Sequence, residues 1–515
     1  MIGMGLAVAG AVCAGVSMLL DGGVARTDPV WGGIGVAGVG LAALLVLGGA
    51  RRVGGVVAGA AAGFAGFLVV TDVVSGVAGP SSWVLLVGAV ATLLGAVTRD
   101  RRGWVLTVVS VLVVAAAGFG VRSVPDAVAV ESGTVAAQAR PEVVDRPRGE
   151  PWRWTADAPV VEAVVAGTGL VVGTDAGQVV AVGAGGRRLW HYTRAGTDVT
   201  SLATTPDQAL VVATFSGGGP HARDGELSVL LDAATGDVLR EWAVRDHSAL
   251  DPLPSNSVLP VSERFDLPDH RVDHRTHGTD LRTGERLWTW QAPAGCLSPW
   301  GVHESGADVV IVSLSCQDDW GVVALGDRDG VARWQRLFPV PPGESSHFLV
   351  NRNADGTAVS VHDLGSRREL LRTRDGSPVA VEALRGRWLW ANAGQVAVGE
   401  EQVAGGRVLS SVAVDPADGS ATVLAQAQCA GRRTLATTAT AVLRLCFTDT
   451  RAELTRQELG GSTVERTTID GWTAPPGHQN SGSFRGLFRA VGVLPAPGFL
   501  AIVRRDDPTV LGYPG

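Results

Sequence analysis

Asp280-Leu281-Arg282-Thr283-Gly284-Glu285-Arg286-Leu287-Trp288 reads as a turn followed by a strand that carries a large ring. Asp offers a side-chain acceptor to backbone N–H groups just ahead of it, and Gly supplies the left-handed backbone position that a tight reversal demands. The unit recurs on both sides. Upstream, Asp232-Ala233-Ala234-Thr235-Gly236 leads to Trp242; downstream, Gly326-Asp327-Arg328-Asp329-Gly330 leads to Trp334. Turns at Asp375-Gly376, Asp418-Gly419 and Gly460-Gly461 continue the series, with turn glycines 48, 46, 46, 43 and, measured to Gly461, 42 residues apart. A period of roughly 40–50 residues with four short strands per unit belongs to the blades of a β-propeller.

Eight units fit, at approximately 161–195, 199–246, 256–291, 296–339, 346–382, 386–428, 429–469 and 486–515; seven remain if the fifth, with weak turn signals and no Trp, is not a blade. The last unit supplies only three strands. Pro151-Trp152-Arg153-Trp154 matches Leu287-Trp288-Thr289-Trp290, so an N-terminal strand is expected to complete the final blade and close the ring. Closure removes the exposed sheet edges that invite aggregation.

At this point a family resemblance is carried by particular residues. The pattern Ala-x-Asp-x-x-Thr-Gly-x-x-x-Trp of the pyrroloquinoline-quinone-like repeat family is matched by Asp280, Thr283, Gly284 and Trp288, with Gly278 at the Ala position. The fourth unit keeps Ala324, Gly330 and Trp334 but has Gly326 and Asp329 at the Asp and Thr positions; the second keeps Asp232, Thr235 and Gly236 with Trp242 displaced by two. The resemblance spans most of residues 151–515 and implies the propeller fold far more strongly than any activity. The family includes quinoprotein dehydrogenases, of which the membrane glucose dehydrogenase is similar in having five helices before its propeller, and also non-catalytic envelope scaffolds. The enzymes resemble one another in a vicinal Cys-Cys disulfide, a bound Ca²⁺, an Asp base and long insertions that wall the cofactor. This sequence has no Cys-Cys dipeptide, and units of about 45 residues leave little chain to roof a ligand. No catalytic residue and no cofactor is therefore assigned, and a quinone- and Ca²⁺-dependent dehydrogenase stands as the alternative.

Residues 1–120 have another character. Apolar segments at about 2–20, 31–50, 53–70, 82–97 and 103–120 carry no charge at their centres, and each approaches the roughly 20 residues that a membrane helix needs. Five transmembrane helices are expected, packed through small residues such as Gly35, Gly38 and Gly40 in the second and Gly55, Gly59 and Gly63 in the third, the last three sharing one face. Arg51, Arg52, Arg99, Arg101 and Arg102 lie in two of the short loops, against Arg26 alone in the others. By the positive-inside rule this places the N-terminus in the cytoplasm and everything after the fifth helix outside a bacterial plasma membrane. The first segment lacks the basic start of a cleaved signal peptide. Residues 121–149, with Pro125, Pro141 and Pro147 and no periodicity, read as a flexible tether, which leaves 150–515 as the ectodomain.

Cysteine placement is consistent with an exterior domain. Cys296 and Cys316 are equidistant from Gly306, and Cys429 and Cys446 from the Thr437–Thr438 step, so each pair brackets a hairpin and is expected to form a cross-strand disulfide. The chain has a formal charge of −7; residues 1–120 contribute +2, which leaves −9 for the rest. An acidic exterior argues against nucleic acid as partner. The one concentration of metal-ligating side chains is Asp269-His270-Arg271-Val272-Asp273-His274-Arg275-Thr276-His277. His270, His274 and His277 are candidate ligands for Zn²⁺ or Cu²⁺ if the segment loops, but Arg271, Arg275 and the overall polarity favour a solvated blade extension. The sequence thus points to a membrane-anchored module that binds an envelope protein, a peptide or a polysaccharide, or, as a further alternative, to an extracellular sensor linked to the membrane.

Overall fold

In a computed structural model the chain is described over residues 2–17, 29–74, 80–99, 130–194, 197–217, 226–244, 253–267, 272–317, 319–339, 348–363, 368–403, 408–427, 433–447, 451–469, 472 and 491–515. Among these residues there are four helices: α1 (Ile2–Ser17), α2 (Pro29–Leu47), α3 (Arg51–Val74) and α4 (Pro80–Arg99). The expectation of five transmembrane helices is corrected here. Only Val53–Val70 in α3 is both long and apolar enough to cross a bilayer; the apolar parts of the others, Gly3–Ser17, Gly33–Leu47 and Trp83–Val97, run 10–17 residues. A span needs roughly 17–25 apolar residues, and among the described residues Val53–Val70 alone supplies such a window. The fifth segment, 103–120, lies outside the described residues.

Small residues set the helix packing. A Cβ on Gly10 of α1 would stand 2.5 Å from the Gly88 carbonyl of α4, and one on Gly95 would stand 2.6 Å from the Gly3 carbonyl, so the two backbones meet directly. Gly55, Gly59 and Gly63 are all buried, as a shared face requires.

The rest of the chain forms eight antiparallel sheets in sequence order, the blades of a closed propeller. Blade 1 spans Val160–Arg194, blade 2 Thr197–Val244, blade 3 Val258–Trp290, blade 4 Cys296–Pro339, blade 5 Phe348–Arg372, blade 6 Trp388–Ala427, blade 7 Arg433–Ile469 and blade 8 Val491–Pro514. Seven blades are excluded, because the fifth unit is a blade. Its sheet has three strands rather than four: Pro378 follows the turn at Gly376 and has no N–H to extend a ladder, so only the Leu371–Pro378 bridge and a bond from Val379 N–H to the Leu370 carbonyl remain. Blade 3 also shows three strands among the described residues. Blade 8 closes as the sequence implies, with strand Trp152–Thr155 pairing antiparallel to Thr509–Pro514 in the register Trp152 to Gly512 and Trp154 to Val510.

Consecutive blades bury apolar faces against each other. Between blades 1 and 2 the core contains Trp190, Tyr192, Phe215, Val211, Val229 and Leu231, and between blades 7 and 8 it contains Leu443, Leu454, Ile502, Leu511 and Tyr513. Alternation along each strand sends side chains to both neighbouring seams, and so the ring is continuous.

The described part of the segment read as a tether, 130–149, does not hang free. Val130–Gly133 adds a fifth strand to the outer edge of blade 1, pairing with Arg188–Arg194. The chain then crosses one face of the ring. Val135 N–H donates to the Thr235 carbonyl in blade 2, Val144 N–H to the Ala496 carbonyl in blade 8, and Arg148 N–H to the Pro514 carbonyl. Asp145 accepts from Thr440 Oγ1 at 2.6 Å and pairs with Arg456 Nη2 at 3.2 Å in blade 7, and Arg146 pairs with Glu458 and Glu465. This strap lies over the turns that join first to second and third to fourth strands.

Burial alone would push the Asp145 carboxyl up, but the hydrogen bonds from Thr440 and Arg456 and the Arg456 charge outweigh it and hold it below the usual value. A carboxyl depressed in the folded state stabilises its attachment above the ordinary carboxylate pKa and loses that contribution as pH falls through the depressed value. Hydrogen exchange should therefore show residues 135–149 protected from pH 7 to 5 and released below about pH 4 while the blade strands stay protected. Release of strap and blades together would show that Asp145 does not control the strap.

Candidate functional site

The motif residues turn out to hold the seams between blades. Asp232 Oδ1 accepts from the N–H groups of Ala234 and Thr235, and Asp280 Oδ1 from those of Arg282 and Thr283. The Thr283 N–H, with that of Arg282 and the Arg328 charge, keeps the Asp280 carboxyl below its ordinary value. Gly236, Gly284 and Gly330 all have φ between 65° and 80°, the left-handed region that the turn requires. Each turn receives the outer-strand side chain of the preceding blade. Trp190 Nε1–H donates to the Ala233 carbonyl at 2.9 Å, Trp288 Nε1–H to the Asp327 carbonyl and Trp334 Nε1–H to the Thr373 carbonyl at 2.7 Å, every ring lying over the next turn glycine. Gly278 stands where the repeat pattern has Ala because a Cβ there would sit 2.1 Å from the Trp288 ring.

The displaced Trp242 has a simple reason. Arg240, four residues past Gly236 where the clamp belongs, reaches the Asp280 and Leu281 carbonyls at 3.2 and 3.4 Å and lies over Gly284. Trp242 carries that guanidinium on its ring at 4.9 Å.

The seam between blades 6 and 7 lacks this clamp. Four residues past the turn Gly419 stands Val423, 73% exposed, and the blades are joined instead by Gln457, whose Oε1 accepts from Ala425 N–H and whose Nε2 donates to the Val423 carbonyl. The inner part of the seam is apolar, with Leu424, Leu435 and Val442 packed together. Its outer part opens into a cleft of about 400 Å³ lined by Arg444, Arg451, Arg466, Glu453, Thr455 and Gln457 above Leu424, Val442 and Val464. Arg444 is 6% exposed and is locked in place: its Nη2 donates to Ser411 Oγ at 2.8 Å and lies 3.7 Å from Glu400 Oε1, while Trp390 Nε1–H donates to Glu400 Oε2 at 3.0 Å. Sequence inspection missed this cleft. The absence of Trp from Ala421–Ala427, together with Arg444, Arg451 and Arg466 in the unit that follows, is the signal that could have found it.

The histidine segment is not a solvated extension, which corrects the sequence reading. Val272–Asp280 is a strand in the middle of blade 3, and His274 and His277 are each 5% exposed. They point to opposite faces. His274 Nδ1 lies 2.8 Å from the Ser298 carbonyl; His277 lies 3.0 Å from both Thr289 Oγ1 and Glu263 Oε2. His270 lies outside the described residues, and among the described residues no three His, Cys, Asp or Glu side chains are placed to hold a metal. Cys296 and Cys316 are bonded and directly opposite in register, as the equal spacing from Gly306 requires. Cys446 is also disulfide-bonded, and its expected partner Cys429 lies outside the described residues.

The central channel has a collar on the strap side. The turns at its mouth are stitched blade to blade by Gly167 N–H to the Gln208 carbonyl, Asp207 N–H to Asn256 Oδ1, Asn256 N–H to the Ala307 carbonyl and Ala354 N–H to the Gly394 carbonyl. Arg352, on the inner strand of blade 5, reaches across to the Thr204 carbonyl of blade 2 at 3.2 Å beside Glu304 at 3.6 Å. Burial pushes its pKa below the usual arginine value, with Glu304 opposing. This bar narrows the mouth from within.

No protein-family model matches the chain, and no curated protein matches it. Among solved structures, BamB from Moraxella catarrhalis is similar at 15% identity and a TM-score of 0.42, over 73% of this chain and 100% of that one. The Cps50 (Swd1) β-propeller domain of Myceliophteria thermophila gives 14% identity and 0.34 over 73% and 99%, and the Dos1 propeller gives 11% and 0.36 over 59% and 79%.

Proposed function

We propose that this chain is a non-catalytic binding or scaffold module of the bacterial envelope, with its apolar N-terminal region (1–120) anchoring it to the plasma membrane and its propeller (150–515) outside. The occupied face is the observation that carries the binding reading: the strap covers turns of blades 2, 8 and 7, and Arg352 bars the channel beneath it. The opposite face, which among the described residues carries the turns at Asp175 and Asp506 and no part of the strap, would meet a partner on a rigid ring, an arrangement suited to protein recognition. The exterior placement is supported by the Cys296–Cys316 bond and the bonded Cys446, since disulfides persist in oxidising compartments.

Photo-cross-linking residues placed in the full chain, in cells, test this. Positions 175 and 506 should give adducts with an envelope protein, and position 208, beside the strap, should give none. Adducts from position 208 alone, or from no position, would overturn the reading.

A further inference from the structure

We propose that residues 291–300 form a docking ridge on the face opposite the strap, with Trp300 as its anchor, and that the ridge takes an uncharged, aliphatic segment of an envelope protein. The inference deepens the reading above and rests on that face being the one that meets the partner.

Placement and composition come first. Strand Arg286–Trp290 leaves the strap-side turn at Gly284 and ends at the opposite face, and strand Val302–Ser305 starts there and returns to the strap-side turn at Gly306. The residues between them therefore cross the opposite face, from the outer strand of blade 3 to the inner strand of blade 4. None of residues 291–300 is charged, in a chain that is 18% charged. Only Ser298 among them is buried; Pro293, Ala294 and Trp300 are exposed, and Leu297 and Pro299 are half-buried. Trp300 is 44% exposed, the one exposed tryptophan among the described residues of the propeller. Depletion of charge around an aromatic residue marks the core of a protein interface, and tryptophan is enriched among the few residues that carry most of its binding energy.

The second argument is rigidity. Beyond the two-residue strand Cys296–Leu297 the ridge has no regular structure, yet both blades hold it. Cys296 is bonded to Cys316, and Ser298 N–H donates to Asp273 Oδ1 at 2.7 Å while the Ser298 carbonyl lies 2.8 Å from His274 Nδ1. Trp300 N–H donates to Ser313 Oγ at 3.0 Å, and Val302 N–H to Ser262 Oγ at 2.9 Å. Gly301 has a φ of 65°, and a Cβ there would stand 2.4 Å from Ser262 Oγ. These bonds fix the backbone and leave the indole at the surface, so a partner meets it without the cost of ordering a loop. The class of occupant follows from what the ridge lacks. Its one hydroxyl, on the fully buried Ser298, lies 3.2 Å from Ser313 Oγ, so it adds nothing to the convergent polar groups that orient a saccharide. The charge of −9 on the chain after residue 120 opposes an anionic lipid surface. An aliphatic protein segment meets both conditions.

A photo-cross-linking residue at the exposed position 291, in the full chain in cells, tests the proposal. A discrete protein adduct is expected, retained by Trp300→Phe and lowered about tenfold or more by Trp300→Ser and by Ala294→Arg, which sets a charge on the ridge without removing any packing. Positions 294 and 300 are exposed, so the purified variants should keep the thermal midpoint of the parent; if Trp300→Ser lowers it, Ala294→Arg carries the test. An adduct indifferent to Ala294→Arg, an adduct with a second copy of this chain, or an adduct with lipid or polysaccharide in place of protein would overturn the inference. Adducts at positions 175 and 506 with none at 291 would overturn it alone and leave the face reading intact, whereas silence at all three would overturn both.

Discussion

Arg444→Ala should cost the propeller about 3–5 kcal/mol, the expected effect of removing one partner from a buried ion pair. Glu400 is 2% exposed and Arg444 6%, so neither can turn to solvent when the other is removed. The deletion also removes the bond that the Ser411 hydroxyl accepts from Arg444, leaving it only the one it donates to Glu400. Urea unfolding of the intact protein, followed by tryptophan fluorescence, measures the loss. Glu400→Gln combined with Arg444→Met should recover most of it, since an uncharged pair of similar shape leaves no lone buried charge. A loss of only about 1 kcal/mol from Arg444→Ala would mean that water reaches the pair and that it behaves as an exposed one. The pair would then not be the fixed element that its burial between blades 6 and 7 implies.

The repeat was legible in the sequence because each turn demands particular chemistry at fixed offsets. Asp232, Asp280 and the glycines at 236, 284, 330, 376 and 419 announce the turns, and all five glycines have positive φ. The last turn is off by one residue from the reading that used Gly461: Gly460 takes the left-handed position, at φ 75°. Ring closure was legible for the same reason, since Trp152-Arg153-Trp154 repeats the composition of a blade's outer strand. What sequence could not deliver were contacts with no local pattern. Asp145 meets Arg456 across 311 residues, and nothing in the Pro-containing stretch around it marks it as a strap. His274 and His277 were read from their polar neighbours, yet backbone pairing on both sides of the strand buries them. The helices were read from hydropathy alone, which counts apolar residues without fixing where each helix begins and ends.

Trp288→Ala should cost about 3–5 kcal/mol, and Trp242→Ala distinctly less. Trp288 is 8% exposed, packs with Val258, Val310 and Leu325, and lies on Gly330 of the next blade with its Nε1–H bonded to the Asp327 carbonyl. Its removal opens a cavity and leaves a turn carbonyl without its donor in one step. Trp288→Phe divides these contributions: the ring face is kept and the hydrogen bond lost, for about 1 kcal/mol of the bonding part plus whatever the smaller ring gives up in packing. Trp242 is half-buried, shelving Arg240 and packing beside Leu230, Leu259 and Leu281, whereas Arg240 makes the clamp to blade 3. Thermal and urea midpoints of the two alanine variants, measured side by side, decide whether the clamp is defined by residue type or by position after the turn glycine. Equal losses would favour residue type and would remove the explanation given for the displaced tryptophan. A larger loss at 288, with Arg240→Ala rather than Trp242→Ala reproducing it in blade 2, would show that position governs. Val423, like Ala380 and Val464 at the same offset in blades 5 and 7, would then mark a seam held by other contacts, as Gln457 holds blade 7 to blade 6 through the Ala425 N–H and the Val423 carbonyl.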